Sequence, residues 1–389
     1  MTFKKLLAVL LCAALIFSLS ACQGETAPDP EGDEQISLID MIGREVLITP
    51  GSYENVVCVG AGALRMYCYV GDTDLLCGVE DIDNESLETR PAVFDSVARP
   101  YMLAYGESFT ALPSCGQGGP MAQTAEAEKI LSCNPDIVIS EFEDADKAAA
   151  LQEQLGKDIP VVTLSMGKDG VFDEKFAKSL GLLGKIFGKE DRAAELIDFI
   201  NSERAEIEEA VKDISLEDAP MVYICGLGNW GTANHLTSSS GYAPFRIAKV
   251  NNVTDSMSFV GNVVLEEEIF VSQGKFTDVI ILDAAAVKNL KPLLADDPTL
   301  FDSYKAWQNG EVYLEMAYNA YYTNYEIALI NTWFVAKCVY PDLFGDLDMT
   351  EKTNEITEKF LGKALAEEIF ACPSSFGGYQ KIDVATFFK

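Results

Sequence analysis

The 389-residue sequence contains a single histidine, His235. A site for bare zinc or manganese made of several imidazoles is thereby excluded. Basic residues are scarce. Lys and Arg number 29 against 61 Asp and Glu, a formal net charge of −32, which speaks against a basic face for nucleic acid. The recurrent catalytic signatures are missing too: there is no G-x-S-x-G elbow, phosphate loop or H-E-x-x-H. The acidic stretch Glu80-Asp81-Ile82-Asp83 gathers carboxylates but lacks the spacing of an EF-hand loop. Ten cysteines occur without one C-x-x-C pair. Eight of them (Cys58, Cys68, Cys77, Cys115, Cys133, Cys225, Cys338 and Cys372) fall mainly in apolar patterns and read as buried thiols, with disulfides left open.

What is present begins at the N-terminus. Lys4 and Lys5 precede an apolar run from Leu6 to Leu19, a charged segment followed by a hydrophobic one. The run is short for a membrane span. It ends in Leu19-Ser20-Ala21-Cys22, which looks like a lipoprotein cleavage box with Cys22 as the lipid site. Residues 1–22 are therefore expected to be a signal peptide ending at the lipidated Cys22. Residues 23–36, polar and acidic with Pro and Gly, are expected to be a flexible tether. The remainder is exported, held at the outer face of a membrane, and long enough for two domains.

Near the middle, Glu190 to Ile214 runs without Pro or Gly. Ala193, Ile197, Ile200, Ile207, Val211 and Ile214 recur at steps of three, four or seven, which predicts one long amphipathic helix. Arg204 is the polar exception on that stripe, and Glu203 lies off it. On either side the same pattern occurs: short apolar strands alternate with helices, as a mostly parallel sheet covered on both faces requires. Before the helix the strands are Val56–Val59, Leu75–Val79, Ile137–Ser140 and Val161–Leu164, preceded by a hairpin around Gly43. After it come Met221–Cys225, Thr277–Leu282 and Glu311–Tyr313, then a helical section from Ile327 to about Phe370. The fold class is α/β. An N-terminal lobe (37–170) and a C-terminal lobe (217–389) flank a helical connector (171–216) that includes the backbone helix 190–214.

These residues resemble a family. Ile39-Asp40-Met41-Ile42-Gly43-Arg44-Glu45-Val46, Val57 to Arg65, Gly78-Val79-Glu80-Asp81, Arg99-Pro100-Tyr101, Glu128 to Leu131 with Pro135-Asp136, and Asn309 to Tyr313 occur in the order found in substrate-binding lipoproteins of ABC importers for iron complexes. Gln123-Thr124-Ala125 and Thr277 depart from that pattern. The resemblance implies two lobes joined by a long backbone helix, a monomer without a permanent cofactor, and transport rather than catalysis. Its partner would be the importer's transmembrane permease, docked through Glu128 on one lobe and Glu267 or Glu268 on the other.

Ligands of parallel α/β sheets bind beyond the C-terminal ends of the strands. The expected ligand-binding residues are accordingly Arg65, Glu80, Asp81 and Tyr101 in the first lobe and Trp230, His235, Tyr242, Tyr321 and Tyr322 in the second. Arg65 follows a glycine-containing strand-to-helix turn, where its fork could grip an anion or sit in a surface salt bridge. The aromatic residues could stack on an organic ligand. A metal held inside a chelate needs few protein ligands, so an iron–siderophore or related iron complex is the expected cargo. A corrinoid, or an oxyanion such as molybdate or tungstate, is the alternative on the same fold. A surface hydrolase using paired carboxylates and a structural adhesin are the alternatives from other classes.

Overall fold

The computed structural model describes residues 34–88, 90–91, 99–119, 122–168, 170–227, 233–257 and 260–389. The signal segment, Cys22, nearly all of the tether and Trp230 lie outside them. The predicted hairpin forms: β1 (Ile36–Ile39) pairs antiparallel with β2 (Glu45–Ile48), and Gly43 turns between them at φ 84°. β3 (Val56–Val59), β4 (Leu76–Glu80), β5 (Ser114–Gly116), β6 (Ile137–Ser140) and β7 (Val161–Thr163) follow and make a parallel sheet in the order β5-β4-β3-β6-β7. All four residues of β3 and of β6 are buried, which is why these strands read as unbroken apolar runs.

The second half contains β8 (Met221–Cys225), β9 (Thr237–Ser240), β10 (Asn251–Asn252), β11 (Gly261–Val264), β12 (Val279–Asp283), β13 (Val312–Glu315) and β14 (Gln380–Lys381). Its sheet runs β10-β8-β12-β13-β14, parallel except for the edge strand β14, while β9 and β11 form a separate antiparallel ribbon. In each sheet the strand order reverses beside the first strand, at β3/β6 and at β8/β12, and such reversals open a crevice at the carboxyl ends. A glycine leaves each first strand with positive φ, Gly60 at 91° and Gly226 at 87°. A Cβ on Gly226 would lie 2.2 Å from that of Ala286, so the close approach of the two loops requires glycine there.

The long helix spans Glu190–Ala210, about 30 Å at 1.5 Å per residue. It stops four residues before the predicted end because its last bonds tighten to i→i+3, from Lys212 N–H to Glu209 and from Ile214 N–H to Val211. Its buried positions are Ala193, Leu196, Ile200, Glu203 and Ile207. Glu203, expected off the stripe, faces inward because partners await it: Trp333 Nε1 donates to Oε2 at 2.7 Å and Lys352 Nζ at 3.2 Å. Arg204 instead faces outward and pairs with Glu208 at 2.7 Å.

The helix Tyr325–Val339 is the most enclosed element. Every residue in it except Lys337 is buried, so it has no polar face. It meets the long helix, the turn at 170–172 and the helices Ala243–Ile247 and Met349–Leu361. Contacts from this C-terminal section reach deep into the first half. Tyr325 stacks on Phe176 at 3.7 Å between ring centres, its hydroxyl donates to Met166 O at 2.8 Å, and Tyr105 donates to Leu361 O at 2.5 Å. One apolar core accordingly runs from Leu38 to Ile382, with a smaller cluster over the outer layer of the first sheet. The eight cysteines left open above are all free thiols.

Truncating Glu203 would strand the Lys352 ammonium and the Trp333 N–H in this core. Breaking a buried ion pair costs about 3–5 kcal/mol, and Lys352 retains the half-exposed Glu355 at 2.7 Å. Glu203→Ala should therefore lower unfolding free energy by about 2–4 kcal/mol in denaturant titration, against under about 0.5 kcal/mol for a surface control such as Glu206→Ala.

Candidate functional site

The carboxyl ends of the first sheet carry a buried polar cluster. Glu80 closes β4; its Oε1 accepts the Gly60 N–H at 3.1 Å and its Oε2 accepts the Tyr321 hydroxyl at 2.6 Å. Asp83, in the turn that follows, accepts from the Tyr101 hydroxyl at 2.6 Å and pairs with Arg99 at 3.0 Å. Asp81 is half-buried beside them. Arg65 is fully enclosed, 0% exposed, with its guanidinium 4.9 Å from the centre of the Tyr101 ring. Nη1 donates to the carbonyls of Tyr321 (3.0 Å) and Thr323 (2.8 Å), and Nη2 to that of Ala320 (2.7 Å). The surface-salt-bridge alternative for Arg65 is thus wrong, and its fork is occupied by backbone of the other half.

In the second half Tyr242 is buried and donates to Glu315 Oε1 at 2.8 Å. Glu315 ends β13 in register with Asp283 at the end of β12, so two enclosed carboxyls stand side by side. Burial pushes the Asp283 carboxyl up to about 7, only partly offset by the N–H of Ala285. Burial likewise pushes Glu315 well above the usual range, with Asp283 adding to the effect. Glu80 is raised to about 7 by burial against the pull of its hydrogen bonds to Tyr321 and Gly60. His235 lies away from this region, in the core of the second half. Its ring packs on Phe270 at 5.0 Å, with Glu267 3.4 Å from Nε2.

A cavity of about 290 Å³ opens where the halves meet. One wall is Gly167, Lys168 and Gly170 to Phe172, after β7; the others are Ser239 to Pro244, Val260 to Asn262, and the loop after β13, with Ala328 and Thr332 behind. Of the expected ligand residues, Tyr242 and the half-exposed Tyr322 line it. Arg65, Glu80, Tyr101 and Tyr321 form the adjoining buried cluster, and Trp230 lies outside the described residues. Sequence reasoning missed Lys168 and Asn262, which also face the cavity; Ser239, Ser240 and Asn319 line it as well, within the segments Ser238 to Tyr242 and Tyr318 to Asn324 that the sequence places at the cleft. Among the described lining residues Lys168 is the only charged one; the other polar groups are hydroxyls and amides. Among the described residues, no three His, Cys, Asp or Glu side chains converge as a metal-binding group.

Glu128, Glu267 and Glu268 are exposed, the first on helix Ala127–Ser132 and the others in the first turn of helix Glu267–Gln273. No helix among the described residues is long and apolar enough to cross a membrane.

Comparison with known proteins gives a consistent result. A family model described as "Periplasmic binding protein" matches residues 56–315. An uncharacterized ABC transporter substrate-binding lipoprotein of Bacillus subtilis, YvrC, is 30% identical over 97 residues, which is 25% of this chain and 30% of that protein. The molybdate-binding protein MolA of Haemophilus influenzae is 21% identical over 257 residues, 60% of this chain and 69% of MolA. The structure of MolA bound to molybdate superposes with a TM-score of 0.63 at 17% identity, covering 84% of this chain and 98% of that one. A periplasmic solute-binding protein of Veillonella parvula gives 0.62 at 16% identity, covering 85% and 93%. At these identities the superpositions establish the fold, two α/β halves around a cleft.

The raised carboxyls fix a sign for the effect of pH. A carboxyl whose folded pKa exceeds its unfolded value contributes stability below the unfolded pKa and loses it as pH rises through the folded one. Glu80, near 4.5 unfolded and about 7 folded, therefore costs stability between pH 5 and 8. In denaturation at both pH values, Glu80→Gln should gain on the parent as pH rises. A difference independent of pH would show that Glu80 does not titrate in this window.

Proposed function

This chain belongs to the periplasmic binding protein family, and on that premise we propose that it is the extracytoplasmic solute-binding subunit of an ABC importer, not an enzyme. Its cargo on this reading is a metal that arrives already ligated by an organic chelator, an iron complex of the siderophore type. The observation that carries the reading is the lining of the cavity. Hydroxyls, amides, tyrosines, apolar side chains and one lysine line it, without a carboxylate or imidazole among the described lining residues. Such a surface suits an oxygen-rich solute whose metal is satisfied by its own ligands; a bare cation would need charged protein donors.

A second reading, a small oxyanion such as molybdate, is favoured by Lys168, the one charge in that described lining. Likeness to MolA, whose structure holds molybdate, points the same way. A thermal-shift screen of ferric siderophores, haem, corrinoids, molybdate and tungstate separates the two readings. The cognate ligand at about 100 times its Kd should add about 2.7 kcal/mol to the native state. Stabilisation by molybdate alone would replace the first reading with the second.

The proposed partner is the transmembrane permease, met by the exposed Glu128 and by Glu267 or Glu268. Anchoring through Cys22 would keep the protein at the membrane beside it. Rim charges set orientation and encounter rate more than ligand affinity. Glu128→Lys combined with Glu268→Lys should leave the thermal shift intact and abolish uptake into vesicles carrying the cognate permease. Normal uptake by the double variant would remove both residues from the interface.

A further inference from the structure

Residues 319–324 form a strap that leaves the second sheet after β13 and crosses to the first half. Its base is closed by Asn324, whose backbone N–H and side-chain amide both donate to Tyr318 O, at 2.8 and 2.9 Å. Inside it, Ala320 N–H donates to Tyr322 O at 3.0 Å, and Tyr321 and Tyr322 are both left-handed, with φ of 50° and 70°. Two successive left-handed residues with a Cβ are unfavourable, so surrounding structure has to impose this shape. Arg65 imposes it. Three strap carbonyls, of Ala320, Tyr321 and Thr323, converge on its buried guanidinium, which has no carboxylate within ion-pair distance among the described residues. The Tyr321 hydroxyl adds a fourth bond, to Glu80. The other side of the strap faces the cavity, to which it presents Asn319, Tyr322 and Thr323.

We propose that Arg65 is a positioning residue of the cavity: it touches no ligand, and it holds the cavity wall formed by residues 319–324 in a shape that wall would not keep alone. Gripping backbone makes this independent of which side chains the strap carries. A lysine at 65 would keep the charge but not the planar fork that spreads donors over three carbonyls. The strap would then relax toward ordinary right-handed or extended backbone, withdrawing Tyr322 and Thr323 from the cavity. The link to ligand capture rests on the cavity being the ligand site; the control of the strap by Arg65 does not.

The test uses the full mature chain with Arg65→Lys, and Tyr321→Phe as a milder variant that removes the hydroxyl bonded to Glu80 and leaves the strap carbonyls on Arg65. Hydrogen exchange is followed by mass spectrometry without ligand. Exchange in peptides spanning 318–325 should rise at least 10-fold in Arg65→Lys and less in Tyr321→Phe, with peptides of β12 and the helix Glu190–Ala210 unchanged. Unchanged strap exchange, or an increase shared equally by the whole chain, would overturn the proposal. Molybdate and a ferric trihydroxamate are then titrated as probes. Whichever the parent binds should bind Arg65→Lys at least 10-fold more weakly through faster dissociation, and equal affinity despite a loosened strap would also overturn it. If the parent binds neither probe, the reading of the cavity is at fault, and the exchange data still decide the role of Arg65.

Discussion

A guanidinium in the dry interior needs acceptors, and the three carbonyls that meet the terminal nitrogens of Arg65, whose Nε has none among the described residues, organise the junction of this protein. Arg65 has carbonyl oxygens where a salt bridge would ordinarily be found. Carbonyl dipoles are fixed by the backbone that bears them, so the demand of one side chain dictates the path of a segment more than 250 residues away. Tyr101 under the guanidinium, Asp83 beneath Tyr101 and Arg99 against Asp83 extend the same network into the first half. Glu80 extends it sideways through Tyr321. Losing any member would leave a buried polar group unsatisfied, which costs more than a surface contact of the same kind.

Much of the architecture was legible in the sequence. The strand Met221–Cys225 was recoverable to the residue, and Val56–Val59 likewise, because strands covered on both faces are short unbroken apolar runs with a glycine after them. β5 and β14, of three and two residues, are too short for any periodicity to register. Glu203 was misplaced because a helical stripe is read from apolar positions, and its inward turn depends on Trp333 and Lys352 far along the chain. Arg65 was singled out by its turn as a grip for an anion, but carbonyls of residues 320, 321 and 323 occupy its fork, partners the sequence could not show because backbone carbonyls leave no residue-type signature. Lys168 and Asn262 had no local pattern to mark them; only the meeting of the halves makes them neighbours.

The chain is strongly acidic, yet the described cavity lining is free of carboxylates. Glu80, Asp283 and Glu315 are each shifted toward the neutral form by burial. The negative charge thus resides on the outside, where it favours solubility. Among its described lining residues the crevice is left to neutral groups and one lysine.

The enclosure of helix Tyr325–Val339 has a consequence for how the molecule is made. Its bonds to the first half, from Tyr69 to Glu326 and from Tyr325 to Met166, span 257 and 159 residues of sequence. Contacts of such separation form late, because the closure entropy of the intervening chain is lost before they return any stabilisation. A nascent chain that has delivered only its first 187 residues holds Arg65 without the carbonyls of residues 320–323, and Tyr69 and Phe176 without the ring of Tyr325. The first half is therefore an unfinished unit, and the molecule acquires a native core only when nearly all of its length has emerged.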